Sequence, residues 1–236
     1  MIIKNDLFDY SDRYIFQDTN YFKFSLDSIL LAEYIQSNVC EGLMLDMCAG
    51  NMAVPLILSK YNDSEIVGFE IQESIYNLGK MSIDYNMLTD KLTIINDDIK
   101  NISNYYNMET FDVIFANPPF FEINCAHQNT SNELKIARHE VKVTLEELFS
   151  IASKYLKGKG KFFLVHRADR LDEIINYGFK YKLFVKDVQL ISTKNNIKPR
   201  IALVKCTKNS KKGIKFRHEM CVENVKTYQN IFKEEE

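Results

Sequence analysis

Short apolar runs alternate with amphipathic stretches along most of this chain. Leu43-Met44-Leu45-Asp46-Met47-Cys48 reads as a buried strand that breaks at Ala49-Gly50-Asn51. Residues 53–60 then read as a helix, with Pro55 accommodated in its first turn. Residues 65–70 and 92–95 are two further strand-like runs. Between them, residues 74–87 place Ile75, Leu78, Ile83 and Met87 on one helical side. Phe111 to Ala116 is a fourth apolar run, and it ends abruptly in Asn117-Pro118-Pro119-Phe120. Proline offers no N–H to a ladder and fixes its own φ, so the strand must stop there, leaving an amide and a ring on a stiff loop. Thr144-Leu145-Glu146-Glu147 is a capping box opening a helix to about residue 156, with Gly158 expected to close it. Residues 161–166 read as a strand and 168–177 as a helix. Residues 183–191 and 200–208 read as two β-branched-rich strands joined by a turn at 194–199. Upstream, the Ser25–Asp27 start and the run through Ile35 predict a capped helix.

Five β-α alternations followed by two consecutive strands predict an α/β fold. The expected sheet has seven strands, is mostly parallel with an antiparallel edge hairpin, and carries helices on both faces. One domain over residues 1–236 is expected, with 1–36 as an N-terminal cover and a short tail after about 215. The polar stretch 121–140 has no period, which suggests a functional loop.

Composition narrows the class. With 46% hydrophobic residues, 8 Gly and 4 Pro, the chain has material for a real core. No apolar run approaches the ~20 residues of a membrane span, and the leading MIIKNDLFDYSDRY lacks a signal-peptide core. A cytoplasmic protein without membrane association is expected. The five cysteines are odd in number and lack a C-x-x-C, and the four histidines have no ligand spacing. Reduced thiols and no structural metal follow.

The net charge of −2 conceals an asymmetry: residues 1–100 hold 7 basic and 16 acidic side chains, residues 101–236 hold 23 and 16. Between Gln189 and His218 stand Lys194, Lys198, Arg200, Lys205, Lys208, Lys211, Lys212, Lys215 and Arg217, with no acid among them. Such a run fits a nucleic-acid backbone, with Lys205, Lys208, Lys211 and Lys212 as phosphate contacts, or equally a solvated edge.

Three strand-end acids carry the chemistry. Asp46, Glu70 and Asp98 close three consecutive strands, and in a doubly wound sheet those ends line one crevice. Glu70 suits a ribose diol and Asp98 an exocyclic amine. The small loop after Asp46 lets a ligand approach the backbone.

This set resembles a class I S-adenosylmethionine-dependent methyltransferase, with its Rossmann-like fold. Asp46 to Met52 stands where that family has its Gly-rich donor loop, Glu70 its ribose acid, Asp98 its adenine-side acid, and Asn117 to Phe120 the signature of amino-group methyltransferases. The loop departs from the pattern: glycines are usual two, four and six residues after the Asp, and here those positions are Cys48, Gly50 and Met52. Residues 24–32 (FSLDSILLA), 67–73 (VGFEIQE), 136–140 (IARHE) and 164–167 (LVHR) together resemble the tRNA1(Val) (adenine(37)-N6)-methyltransferase family from about residue 10 to 215.

The resemblance implies S-adenosylmethionine as cofactor, bound by Phe24, Asp27, Asp46, Cys48, Gly50, Asn51, Glu70, Ile71, Asp98, Ile99 and Asn117. It implies tRNA as partner, and a monomer or weak dimer is expected; Arg138 and His139 read as a substrate wall or phosphate contact or equally as a helix-start salt bridge, and Arg167 as an RNA phosphate contact or an ordinary strand-end cap. Asn117 and the Pro118 carbonyl would accept the two protons of the adenosine N6 amine, on the stiff Pro118-Pro119 turn, and Phe120 would stack on the flipped base. Two alternatives stay open: methylation of another planar amine, such as rRNA guanine N2 or protein glutamine, and a non-catalytic RNA-binding protein on the same fold.

Overall fold

Apolar runs with no polar alternation become the centre of a sheet, because both of their faces must be covered. The computed structural model describes residues 1–7, 10–19, 25–38, 40–119, 143–195 and 197–225, with Tyr10 and Ser11 described in the backbone alone. The chain begins with an antiparallel hairpin, β1 (Ile2–Leu7) and β2 (Tyr10–Asp18). Then come α1 (Leu26–Gln36), β3 (Met44–Asp46), α2 (Ala53–Leu58), β4 (Ile66–Phe69), α3 (Glu73–Tyr85) and β5 (Leu92–Ile95). A 3-10 segment, Ile99–Asn104, precedes β6 (Phe111–Ala116). Beyond it lie α4 (Leu145–Tyr155), β7 (Leu156–Arg167), α5 (Leu171–Lys180), β8 (Leu183–Ser192), β9 (Ile201–Lys208), β10 (Lys215–Phe216) and β11 (Met220–Cys221).

The main sheet runs β10-β8-β9-β7-β6-β3-β4-β5, with β11 also on β8. The seven long strands are those expected, and the doubly wound α/β class holds. β3 to β7 pair in parallel, while β9 is antiparallel to both β7 and β8. The chain winds outward from β3 in one direction and from β6 in the other, so the topological switch lies between β3 and β6. Two apolar layers cover the sheet. α1, α2, part of α3 and the hairpin pack on one face, and the 3-10 segment, α4 and α5 on the other.

Several expectations need correction. The hairpin β1–β2 has no counterpart in the sequence reading. It lies on α3: the Phe16 N–H donates to Ser82 Oγ at 3.0 Å and the Tyr14 N–H to Asn86 Oδ1 at 2.9 Å. Gly158 does not close α4. The capping box at Thr144 and Glu147 is present, but the helix ends at Tyr155 and Leu156 enters the sheet directly against Phe111. Residues 215–221 do not begin a tail, since β10 and β11 extend the sheet beyond β8. Consequently β8 is flanked on both sides rather than forming the edge of the sheet.

Candidate active site

Each parallel strand delivers its last residue to one end of the sheet, and the ladders continue into the loops there. The Met47 N–H donates to Phe115 O at 3.0 Å, the Ala49 N–H to Phe69 O at 2.9 Å and the Glu70 N–H to Ile95 O at 3.0 Å. Asp46 pairs with Phe115, so Asn117 emerges two residues further on, beside the loop that follows Asp46. Open α/β sheets bind ligands at such a switch.

The three acids share this crevice: Asp46, Glu70 and Asp98 all act on the Cys48 thiol, whose pKa is raised well above its ordinary value first by burial and then by their charges. Asp46 is buried, and burial pushes its carboxyl up to about 7 against the Cys48 N–H it accepts at 3.1 Å; nearby Glu70 adds to the rise. Glu70 is also raised, chiefly by burial, while one oxygen accepts from the Gly50 N–H at 3.0 Å and the other from the Gln72 N–H at 2.8 Å. Asp98 caps the 3-10 segment through the Lys100 N–H at 3.0 Å and stays partly exposed. Its neighbour Asp97 shapes that loop, accepting from the Asp98 N–H, the Asn101 amide and the Tyr105 hydroxyl. Ile71 is 38% exposed at the crevice rim, whereas Ile99 is buried in the core.

The donor loop keeps one of the usual glycines and replaces another with a buried side chain. Gly50 is left-handed at φ 54°, a conformation open to glycine without strain. Met52 is also left-handed, at φ 70°, yet its side chain is wholly buried and turned into the core. Two glycines on neighbouring elements leave it room. A Cβ on Gly68 would meet Met52 Sδ at 2.7 Å and Ala49 Cβ at 2.6 Å, and one on Gly79 would meet Met52 Cγ at 3.2 Å. The departure at 52 therefore strains the backbone without narrowing the crevice. Asn51 is an anchor to the N-terminal hairpin: its Nδ2 donates to Phe16 O at 3.1 Å.

On the acceptor side, Asn117 is half-buried, Pro118 buried and Pro119 exposed. The Asn117 Nδ2 donates to Ser28 Oγ of α1 at 3.1 Å. Ser25 takes the N-cap position of α1 without a side-chain cap bond, and its hydroxyl is engaged by Asp27, whose carboxyl is raised mainly by burial. Ser28, Asn96 and Gln72 were not singled out as site residues in the sequence. Asn96 donates to Glu70 O at 2.9 Å and fixes the turn after β4. The short motif holding Ser28 was visible; the contact it makes 89 residues away was not. Phe24, Phe120, Arg138 and His139 lie outside the described residues.

The RNA-side candidates separate sharply. Lys208 is 8% exposed, with its Nζ donating to Leu156 O at 2.6 Å and Glu109 Oε1 at 2.9 Å. Lys205 donates to Asn38 Oδ1 at 2.7 Å. Both stand on the flanked strand β9; Lys208 is structural, which corrects its reading as a phosphate contact, while half-buried Lys205 is engaged within the fold. Lys211 and Lys212 are exposed but lie near Lys186 and Phe179, at the end of the sheet away from the crevice. At the crevice end, Arg167 pairs with Asp169, and the Ala168 N–H donates to Arg200 O at 2.8 Å. That contact sets the β8–β9 turn, with exposed Lys194, Lys198 and Arg200, beside the end of β7. Among the described residues no His/Cys/Asp/Glu group could hold a metal ion, and no helix is long and apolar enough to cross a membrane.

Residues 22–197 match the family model for the methyltransferase small domain. The chain belongs to the methyltransferase small domain family. Proteins similar to this chain include the tRNA1(Val) (adenine(37)-N6)-methyltransferase of Bacteroides thetaiotaomicron, 26% identical over 215 residues that span 89% of this chain and 87% of the relative. The protein of the same name from Phocaeicola vulgatus is 21% identical across 98% of this chain and 94% of its own. Among solved structures, a predicted O-methyltransferase from Agrobacterium tumefaciens superposes with a TM-score of 0.66 at 16% identity, covering 89% of this chain and 94% of the other. The 16S rRNA N2 G1207 methyltransferase of T. thermophilus, in complex with AdoMet and guanosine, gives 0.62 at 18% identity, covering 88% of this chain and 50% of that one. These superpositions establish the class I methyltransferase fold.

Proposed function

We propose that this methyltransferase small domain protein transfers the methyl group of S-adenosylmethionine to the N6 amine of an adenosine in tRNA, adenosine 37 of tRNA1(Val) being the site its relatives' names suggest. The observation that carries this reading is the placement of Asn117-Pro118 at the β3/β6 switch, directly beside the crevice of Asp46, Glu70 and Asp98. The whole chain is read as one catalytic unit.

The residues divide the work. Glu70 accepts from hydroxyls of the donor's ribose once its loop N–H partners yield, and Asp98 accepts from the donor's adenine amine. Gly50 lets the loop backbone come close. The adenosine N6 lone pair is delocalised into its ring, so the amine is a poor nucleophile. Asn117 Oδ1 and the Pro118 carbonyl accept its two N–H protons and hold the nitrogen toward tetrahedral geometry. Acceptors fixed where positive charge develops stabilise the transition state. When bound, S-adenosylmethionine supplies an electrophilic methyl on a sulfonium. Glu70, Asp98 and the Gly50 loop would hold it so that the amine nitrogen fixed by Asn117 and Pro118 takes that methyl, with the carbon–sulfur electron pair staying on sulfur and the amine proton passing to water. Much of the rate comes from alignment. Lys194, Lys198 and Arg200 then face the RNA backbone at the crevice end.

The test is methyl transfer from labelled S-adenosylmethionine to unmodified tRNA, followed by nucleoside mass analysis. N6-methyladenosine at wild type, and a drop of about 10²–10³ in kcat for Asn117→Ala, are expected. Product on guanine N2 or on protein, or no donor binding by calorimetry at millimolar concentration, overturns the proposal.

A further inference from the structure

We infer that Ser28 is a positioning residue that fixes the orientation of the Asn117 carboxamide; this inference rests on the functional reading above. A carboxamide has two faces of opposite character, an acceptor oxygen and a donor NH₂, which a half-turn of its last torsion exchanges. Asn117 serves as an acceptor only when its oxygen faces the substrate amine. In the opposite orientation two donors meet, and the amine is repelled.

The structure supplies the device that separates the two states. The Asn117 Nδ2 donates to Ser28 Oγ at 3.1 Å, so Oδ1 is turned away from α1. Ser28 is 6% exposed, which shields this bond from competing water. α1 is itself held firmly: the Ser28 N–H bonds Ser25 O at 3.0 Å, and one and a half turns on, the Tyr34 hydroxyl donates to Asp187 Oδ1 at 2.6 Å. Asn117 is set from the other side by β6, whose final residue Ala116 is in register with Leu164 of β7. Two rigid elements thus meet at one hydrogen bond. A hydroxyl suits the position because it accepts from the amide while keeping its own proton for another acceptor. An alanine there would leave the half-buried NH₂ without a partner.

The experiment compares Ser28→Ala, Ser28→Cys and Ser28→Thr in the tRNA methylation assay, normalised to folded protein. Alanine and cysteine remove the strong acceptor, and kcat should fall about five- to thirtyfold, as loss of one partly buried hydrogen bond predicts. KM for tRNA and for S-adenosylmethionine should stay within about twofold of wild type, since the bond acts through Asn117 in the transition state. Threonine keeps the hydroxyl and should restore most of kcat. Equal kcat for wild type and Ser28→Ala overturns the inference, as does a rise in KM at constant kcat. A second readout is independent of activity. The side-chain amide protons of Asn117, assigned in ¹⁵N spectra by their loss in Asn117→Asp, should be protected from exchange in wild type and unprotected in Ser28→Ala. Absence of that difference also overturns the inference. A wild type that methylates no tRNA, yet shows the protected amide, defeats the functional reading and leaves the positioning contact standing.

Discussion

Gly68→Ala is the perturbation that most directly tests how the donor loop is held. The added Cβ would lie 2.6 Å from Ala49 Cβ and 2.7 Å from Met52 Sδ. Ordinary carbon contacts begin near 3.5 Å, so relief at Ala49 needs a shift of about 1 Å. Met52 Sδ can swing aside, because a thioether chain has rotamers to spare. Ala49 Cβ sits directly on the backbone and cannot move without the loop. The Ala49 N–H is bonded to Phe69 O at 2.9 Å, so that shift loosens a ladder bond as well. Overpacking costs about 1–3 kcal/mol and a weakened backbone bond about 1 kcal/mol. Together they amount to about 2–4 kcal/mol, or a fall in Tm of about 5–15 °C for a chain of this size. The displaced residues belong to the donor loop, so affinity for S-adenosylmethionine should weaken too. Thermal unfolding and calorimetry measure the two effects. Adding Met52→Ala should recover part of the loss but not all, since only one of the two clashes is removed. A Gly68→Ala protein with Tm within 1 °C of wild type and unchanged donor affinity would refute the reasoning.

Three further outcomes are expected. Asp46 titrates near 7 in the folded protein, above its ordinary value, so its contribution to stability falls as pH rises from about 4 to 7. His166, lowered to about 4 by burial and by Arg170, contributes the reverse: stability is lost as pH falls from about 6.5 to 4. Melting curves from pH 5 to 8 should therefore show Asp46→Asn gaining on wild type toward high pH and His166→Gln gaining toward low pH; curves parallel to wild type contradict both assignments. Arg217→Ala should cost about 3 kcal/mol by denaturant unfolding, because buried Asp187 keeps the Tyr34 hydroxyl but loses a guanidinium at 2.6 Å. The low end applies because Lys205 stands opposite Asp187 across the ladder, and a variant as stable as wild type would refute this account. Reversing the charges of Lys194, Lys198 and Arg200 should weaken tRNA binding and lower its salt slope by about 2–3, whereas reversing Lys211 and Lys212 should leave the slope unchanged; equal effects from the two sets would contradict the placement of the RNA surface.

Much of the fold was legible because its central strands are continuous apolar runs with abrupt ends. Residues 92–95 and 111–116 matched to the residue for that reason, and Thr144 with Glu147 announced α4 through two reciprocal bonds. The hairpin β1–β2 was not legible. Residues 2–7 alternate between exposed and half-buried with a single buried leucine, and what holds them is pairing to β2, which itself lies on α3. Strands of two residues, like β10 and β11, carry no periodicity at all. The same limit governs the site. Asp46, Glu70, Asp98 and Asn117 stand where loops follow strands, which a linear pattern displays. The role of Met52 depended on Gly68 and Gly79 from two other elements. The basic run looked uniform in sequence, yet strand pairing buries Lys208, ties up Lys205, lays Lys215 and Arg217 along β8 and sends Lys194, Lys198 and Arg200 to the opposite end of the sheet from Lys211 and Lys212.

The fastenings of α1 have a consequence for the order in which the protein comes into being on the ribosome. Ser28 waits 89 residues for Asn117, Tyr34 waits 153 for Asp187, and Ser37 waits 180 for Arg217. Contacts that close such long loops form late, and domains emerge from synthesis amino end first. The helix that steadies the acceptor amide is therefore made early but locked only when β8 and β10 have arrived. A nascent or prematurely ended chain can present the donor crevice of β3, β4 and β5 without a steadied Asn117. A chain that ends between residues 117 and 187 therefore has the Ser28–Asn117 bond as the only one of these three fastenings it can make.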